Sequence, residues 1–129
     1  MKGTLVRSLV AVVGLLALSA PILAHHGSRV SYDLTKQVTM KGVVTEYQYQ
    51  NPHIYILYDV KDDSGKVEKW IAETASPQRL FSFGWNAKTL KAGDKITVTG
   101  AQLKDGQKIV SVIKVVGGNA PALTTGAAE

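Results

Sequence analysis

The sequence predicts a small all-β domain in which five strands close a barrel and one short helix sits between the third and fourth strands. Three observations carry this reading. Apolar and polar residues alternate with a period of two over successive runs between Val38 and Val116. Turn-forming clusters, Asn51-Pro52, Lys61 to Gly65 and Asp105-Gly106, punctuate those runs. The period changes once, at Ser76-Pro77, where a capping serine precedes a proline suited to the first helical position.

The first strand is expected over Val38 to Tyr49, rich in Val, Thr and Tyr. Its apolar parity runs through Val38 and Met40, then resumes at Val43 and continues to Thr45 and Tyr47. The slip falls at Gly42, which reads as a bulge that bends the strand. The second strand is expected over His53 to Val60. Ile54, Ile56, Tyr58 and Val60 lie on one face, with His53, Tyr55, Leu57 and Asp59 on the other. The third, Val67 to Thr74, is expected to bury Trp70 and Ala72. The helix then starts at Ser76-Pro77 and stops near Gly84, with Leu80 and one of Phe81 and Phe83 on its buried side. Asn86 to Leu90 reads as a short turn. Strand four is expected over Lys95 to Leu103 with Ile96 and Val98 inward, and strand five over Lys108 to Val116. Three strands, a helix and two strands, with a bulged first strand, is the order of an OB-fold, a partly open Greek-key barrel. Another small β-barrel or a sandwich fragment is the alternative.

Outside this core, the chain divides into three further segments. Residues 1–24 have the form of a secretory signal: Lys2 and Arg7, the apolar run Leu9 to Leu18, then small residues ending at Ala24. The apolar run is well short of the ~20 residues that span a bilayer, so no stable membrane anchor is expected after cleavage. Pro21 disfavours a cut after Ala20, which leaves Ala24 as the expected site. Residues 25–37 show no periodicity and read as an N-terminal arm. Residues 117–129, dominated by Gly, Ala, Thr and Pro, read as a disordered tail. The expected location is the periplasm or the exterior.

Charge and composition exclude several classes of function. The net charge of +5 includes Lys2 and Arg7, so the processed chain carries +3 without any basic run. That is ordinary solubility chemistry and not a nucleic-acid footprint, and export argues against nucleic acid as a ligand as well. The absence of cysteine removes disulfides, thiolate metal sites and thiol catalysis together. No G-x-S-x-G elbow, phosphate-cradling loop or dinucleotide fingerprint is present, so the expectation is a binding protein and not an enzyme.

Several motifs occur in a fixed order: Ala24-His25-His26, Asn51-Pro52-His53, Trp70-Ile71-Ala72-Glu73 leading to Ser76-Pro77, Gly84-Trp85, and Leu90 to Asp94. As a set they resemble an exported bacterial family catalogued as domain of unknown function 6152. The resemblance spans nearly the whole processed chain to about Val116. It implies export and a compact β domain, and it implies no activity.

Histidine supplies the candidate chemistry. Cleavage after Ala24 makes His25 the terminal residue, so its free amine and its ring nitrogen can chelate one ion. Such a site would resemble the histidine brace of secreted copper proteins, and nitrogen donors in a tetragonal set suit Cu(II). His53 is the histidine remote from the adjacent pair and the natural further ligand, while His26 can bind through its ring and backbone nitrogen. Glu73 is placed to orient a histidine from behind. The plainer reading makes His25 and His26 solvated arm residues, His53 a packed ring at a strand mouth and Glu73 a surface ion pair. Tyr47, Tyr49, Tyr55 and Trp85 are candidates for a stacking platform, with barrel packing as the alternative. Two functions follow: a periplasmic protein holding one copper ion, or a metal-free module that binds a peptide, a glycan or a periplasmic partner.

Overall fold

The computed structural model describes residues 31–125, so the expected signal segment, His25, His26 and residues 126–129 lie outside the described part. Six strands and one helix follow in order: β1 (Tyr32–Gln48), β2 (Tyr55–Lys61), β3 (Val67–Glu73), α1 (Pro77–Phe81), β4 (Lys95–Leu103), β5 (Ile109–Gly117) and β6 (Leu123–Thr124). The first five close a ring. β1 pairs antiparallel with both β2 and β4, β2 with β3, and β4 with β5. A parallel contact of Ile71 with Ile109 and of Ala72 with Val110 joins β3 to β5 and completes the barrel. This ring, with its helix between β3 and β4, is the OB architecture.

β1 can serve two neighbours because it is long and bent. Residues 37–43 pair with β4, and residues 43–48 pair with β2. The bend is not at Gly42, as the sequence pattern implied. The register slips between Val44 and Glu46, where Thr45 is the extra residue. Val44 is buried and Val43 is exposed, so the inward parity continues from Val38 through Met40 and Gly42 to Val44, then shifts to Tyr47 and Tyr49. Two adjacent valines fit either parity, which is why the slip was misplaced.

Gly42 has a different physical role. A Cβ there would lie 2.6 Å from the Asp59 carbonyl oxygen and 2.7 Å from Cδ2 of Tyr58. The β1–β2 contact therefore depends on an absent side chain. Gly42→Val is expected to cost about 1–3 kcal/mol through overpacking, read as a lowered denaturation midpoint. An unchanged midpoint would mean that β1 and β2 can separate at no cost.

The barrel interior is filled from alternate positions of every strand. Ile54, Ile56 and Tyr58 from β2 and its approach, Trp70 and Ala72 from β3, Ile96 and Val98 from β4, and Val110, Val112 and Val115 from β5 form one buried cluster. Helix α1 closes one end. The Ser76 hydroxyl accepts from the Arg79 amide at 3.4 Å, Pro77 occupies the first turn, and Leu80 is buried. Neither phenylalanine joins it, in contrast to the sequence expectation: Phe81 is 71% and Phe83 37% exposed. A five-residue helix offers one inward position, and Leu80 takes it. Gly84, at φ +84°, then turns the chain so that Trp85 enters the core.

Both flanking segments are more structured than their composition suggested. β1 begins at Tyr32 and so includes six residues assigned to the arm. Residues 117–125 pack onto the barrel: Leu123 is fully buried, the Trp85 indole N–H donates to the Pro121 carbonyl at 2.9 Å, and the Thr125 hydroxyl donates to the Val112 carbonyl at 2.6 Å. A single leucine has no periodicity, so pattern alone does not reveal it.

Candidate functional site

The outward face of β2 and β3 is built by the same alternation that fills the core. With Ile54, Ile56 and Tyr58 inside, His53, Tyr55 and Leu57 point outward; with Trp70 and Ala72 inside, so do Ile71 and Glu73. The antiparallel register sets Tyr55 opposite Glu73 and Leu57 opposite Ile71, and Ile71 lies beside Ile109 of β5. A row of three aliphatic side chains therefore crosses three strands, with a polar row beside it. Leu103 at the end of β4, with Lys104 and Gln107 of the β4–β5 loop, forms one wall of the resulting cleft, and Ser31 and Tyr32 form another. The cleft measures about 940 Å³. In OB-folds this strand 2–3 face, flanked by the loop between strands four and five, is where ligands bind.

Glu73 organises the polar end. One carboxylate oxygen accepts a short hydrogen bond from the Tyr32 hydroxyl, and the other lies 3.3 Å from His53 Nδ1. The same Nδ1 lies 3.0 Å from the Thr74 carbonyl oxygen. A carbonyl oxygen can only accept, so Nδ1 is the protonated nitrogen. In the neutral ring, Nε2 then keeps its lone pair. Burial, reinforced by the hydrogen bond to Glu73, pushes the Tyr32 hydroxyl far above the ordinary phenol range. Tyr55 is pushed up as well, by burial and then by the nearby Glu73 charge. Both phenols therefore stay protonated at neutral pH, and Tyr32 is a fixed donor.

The structure brings Glu73 within 3.3 Å of His53, a contact common to a surface ion pair and to a carboxylate that orients a histidine. Among the described residues no group of three metal-ligating side chains occurs, and His25 and His26 lie outside them. The stacking platform does not form. Tyr47, Tyr49 and Trp85 cluster beside α1, with centroid separations of 6.0 Å and 6.3 Å, and their polar atoms bond to the Asn86, Pro77 and Pro121 carbonyls. Tyr55 alone of the four lines the cleft, because the bulge at Thr45 turns Tyr47 and Tyr49 toward the core. Sequence reasoning missed Tyr32, which sits in a stretch without alternation, and the wall formed by Lys104 and Gln107. The Asp105-Gly106 turn signal marks that loop and was the one cue to it.

A family model described as "Family of unknown function (DUF6152)" matches residues 11–111. No curated relative matches the chain. Among solved structures, the chain is similar to a mitochondrial single-stranded DNA binding protein, Rim1 of S. cerevisiae. The identity is 8%, the match covers 70% of this chain and 96% of the other, and the TM-score is 0.49. It is also similar to the N-terminal domain of the PriB protein from Thermoanaerobacter tencongensis, at 17% identity, with 65% and 97% coverage and a TM-score of 0.45.

Proposed function

The chain belongs to this family of unknown function, and from that premise we propose that it is an exported binding protein whose cleft holds one copper ion at its His53 end. The observation that carries the reading is the anchoring of His53. Its Nδ1 is held by the Thr74 carbonyl and by Glu73, which leaves Nε2 as the available ligand atom on a side chain that lines the cleft. Metal-bound histidines are commonly oriented by such a partner on the opposite ring nitrogen. Ser31 lines the same cleft, and His25 is six residues away in sequence. Six residues span roughly 20 Å when extended, so covalent reach permits the His25 amine and ring, or His26, to meet His53. An all-nitrogen set of this kind favours Cu(II) among the first-row divalent ions.

A second reading rests on the apolar row of Leu57, Ile71 and Ile109, which gives the cleft a floor suited to an organic ligand such as a peptide or glycan. Single-stranded nucleic acid fits poorly. Lys104 is accompanied in the cleft by the acids Glu73 and Asp105, whereas a phosphate backbone calls for a positively charged groove.

Calorimetric titration of Cu(II) into the chain purified after export separates the two. His53→Ala is expected to weaken binding by at least about tenfold, and Glu73→Ala by about 10–100-fold through loss of ring orientation. Both losses should grow smaller on acidification, as protons displace the metal from its nitrogen donors in every form. Equal affinity for the native chain and His53→Ala would reject the copper site and leave the metal-free cleft as the function.

A further inference from the structure

Beyond the cleft, the outward face of β2 continues through Asp59 to Lys61, and here the barrel carries a second groove of about 770 Å³. Val43, Val67 and Val116 lie in it, at 40%, 48% and 42% exposure, and they are three of the five exposed large hydrophobic residues of the described chain. Lys41, Lys61 and Lys95 stand among them. The placement follows from register. Val67 pairs with Lys61, Lys41 with Thr97, and Thr97 with Val116. The pairing of Val43 with Asp59 brings Lys41 beside Lys61, two positions further along. One row thus crosses five strands, roughly 19 Å at the usual strand spacing.

Two features of this row are unfavourable in isolation. Exposed valines gain nothing from water, and lysines set side by side on neighbouring strands repel. The ion pairs of the described residues use His53, Lys91 and Lys108, so none involves Lys41, Lys61 or Lys95. Charge and apolar surface are therefore interleaved at the spacing of adjacent strands, open to a partner that supplies both complements.

We propose that this groove binds an extended acidic segment of a partner protein, one that carries carboxylates and aliphatic side chains in turn along one face, at every second residue. Carboxylates would neutralise the lysines while the intervening side chains cover the valines. A uniformly anionic surface fits less well. Asp59 lies within the groove and would repel a nucleic-acid backbone or an anionic headgroup layer, whereas a peptide can place an amide there. Concavity also suits a chain better than a planar bilayer. The site is separate from the cleft and does not depend on what the cleft holds.

The test is fluorescence anisotropy of a labelled dodecapeptide of three Glu-Ser-Val-Ser repeats, which sets glutamate and valine in turn on one face, titrated with the full processed chain. Saturable binding is expected. The triple variant K41E/K61E/K95E should weaken it by at least about tenfold, since exposed attractions become repulsions. Val43→Ser with Val116→Ser should weaken it while leaving the charges in place, and Lys104→Glu, in the cleft, should leave it unchanged. Circular dichroism of each variant establishes that the barrel is intact; all the substituted side chains are exposed. Absence of saturable binding would overturn the proposal. So would equal binding by the triple variant, or binding of phosphatidylglycerol vesicles in place of the peptide.

Discussion

Replacing Trp85 with alanine is expected to destabilise the domain by about 3–5 kcal/mol, measured as a shift in chemical denaturation at constant slope. The indole is fully buried, meets Tyr47 edge-on at 6.3 Å, and sits where α1, β1 and the C-terminal segment converge. No neighbouring element is free to fill the space, because each is tied to the barrel by its own hydrogen bonds. Trp85→Phe separates two contributions. It retains most of the apolar volume and removes the N–H that serves the Pro121 carbonyl, so a smaller loss of about 1–3 kcal/mol is expected. Trp70→Ala should cost less than Trp85→Ala. Trp70 lies nearer the rim, with its N–H 3.3 Å from the Glu68 carboxylate. A loss under about 1 kcal/mol for Trp85→Ala would mean that the C-terminal segment does not rest on this side chain.

Acetylation of the His25 amine is expected to abolish tight Cu(II) binding while leaving the denaturation midpoint unchanged. A brace needs a primary amine and a ring nitrogen from one residue, and acetylation converts that amine into an amide. An amide nitrogen binds copper only after losing its own proton, so the site would lose its strongest chelate ring. His53 would remain oriented by Glu73 and the Thr74 carbonyl, and could contribute one nitrogen. The expected loss is at least about 100-fold, or roughly 3 kcal/mol of binding free energy. His26→Ala should matter less than the acetylation. Equal affinity with and without the acetyl group would exclude the brace, and N-terminal sequencing that finds a start other than His25 would remove its basis.

Much of the fold was legible in local patterns because alternation is a local property. In β2 and β3 each residue's face follows from its neighbours, so the shared face of Ile54, Ile56 and Tyr58 and the burial of Trp70 and Ala72 are legible there. The capping of α1 by Ser76 was legible for the same reason, as a side chain meeting an amide three residues on. Patterns failed where a choice between equivalent local readings was made by distant atoms. Val43 and Val44 are interchangeable in sequence, and the pairing partners across β1 decide which one is buried. Phe81 is a better hydrophobe than many core residues, yet a single helical turn had no further space to offer it.

The candidate site divides along the same line. The sequence by itself determined that His53 and Glu73 lie on outward positions of neighbouring strands, since strand parity needs only the run of residues around each. It also determined the closing order of strands and helix, the absence of thiol chemistry and the modest net charge. The tertiary structure alone decided that Tyr32 hydrogen-bonds Glu73 across 41 residues of sequence, that the β4–β5 loop walls the cleft, and that Leu123 seals the core. The physical reason is that these contacts join segments with no local periodicity, and their free energy arises only once the β3–β5 pairing has closed the barrel and removed the surrounding water.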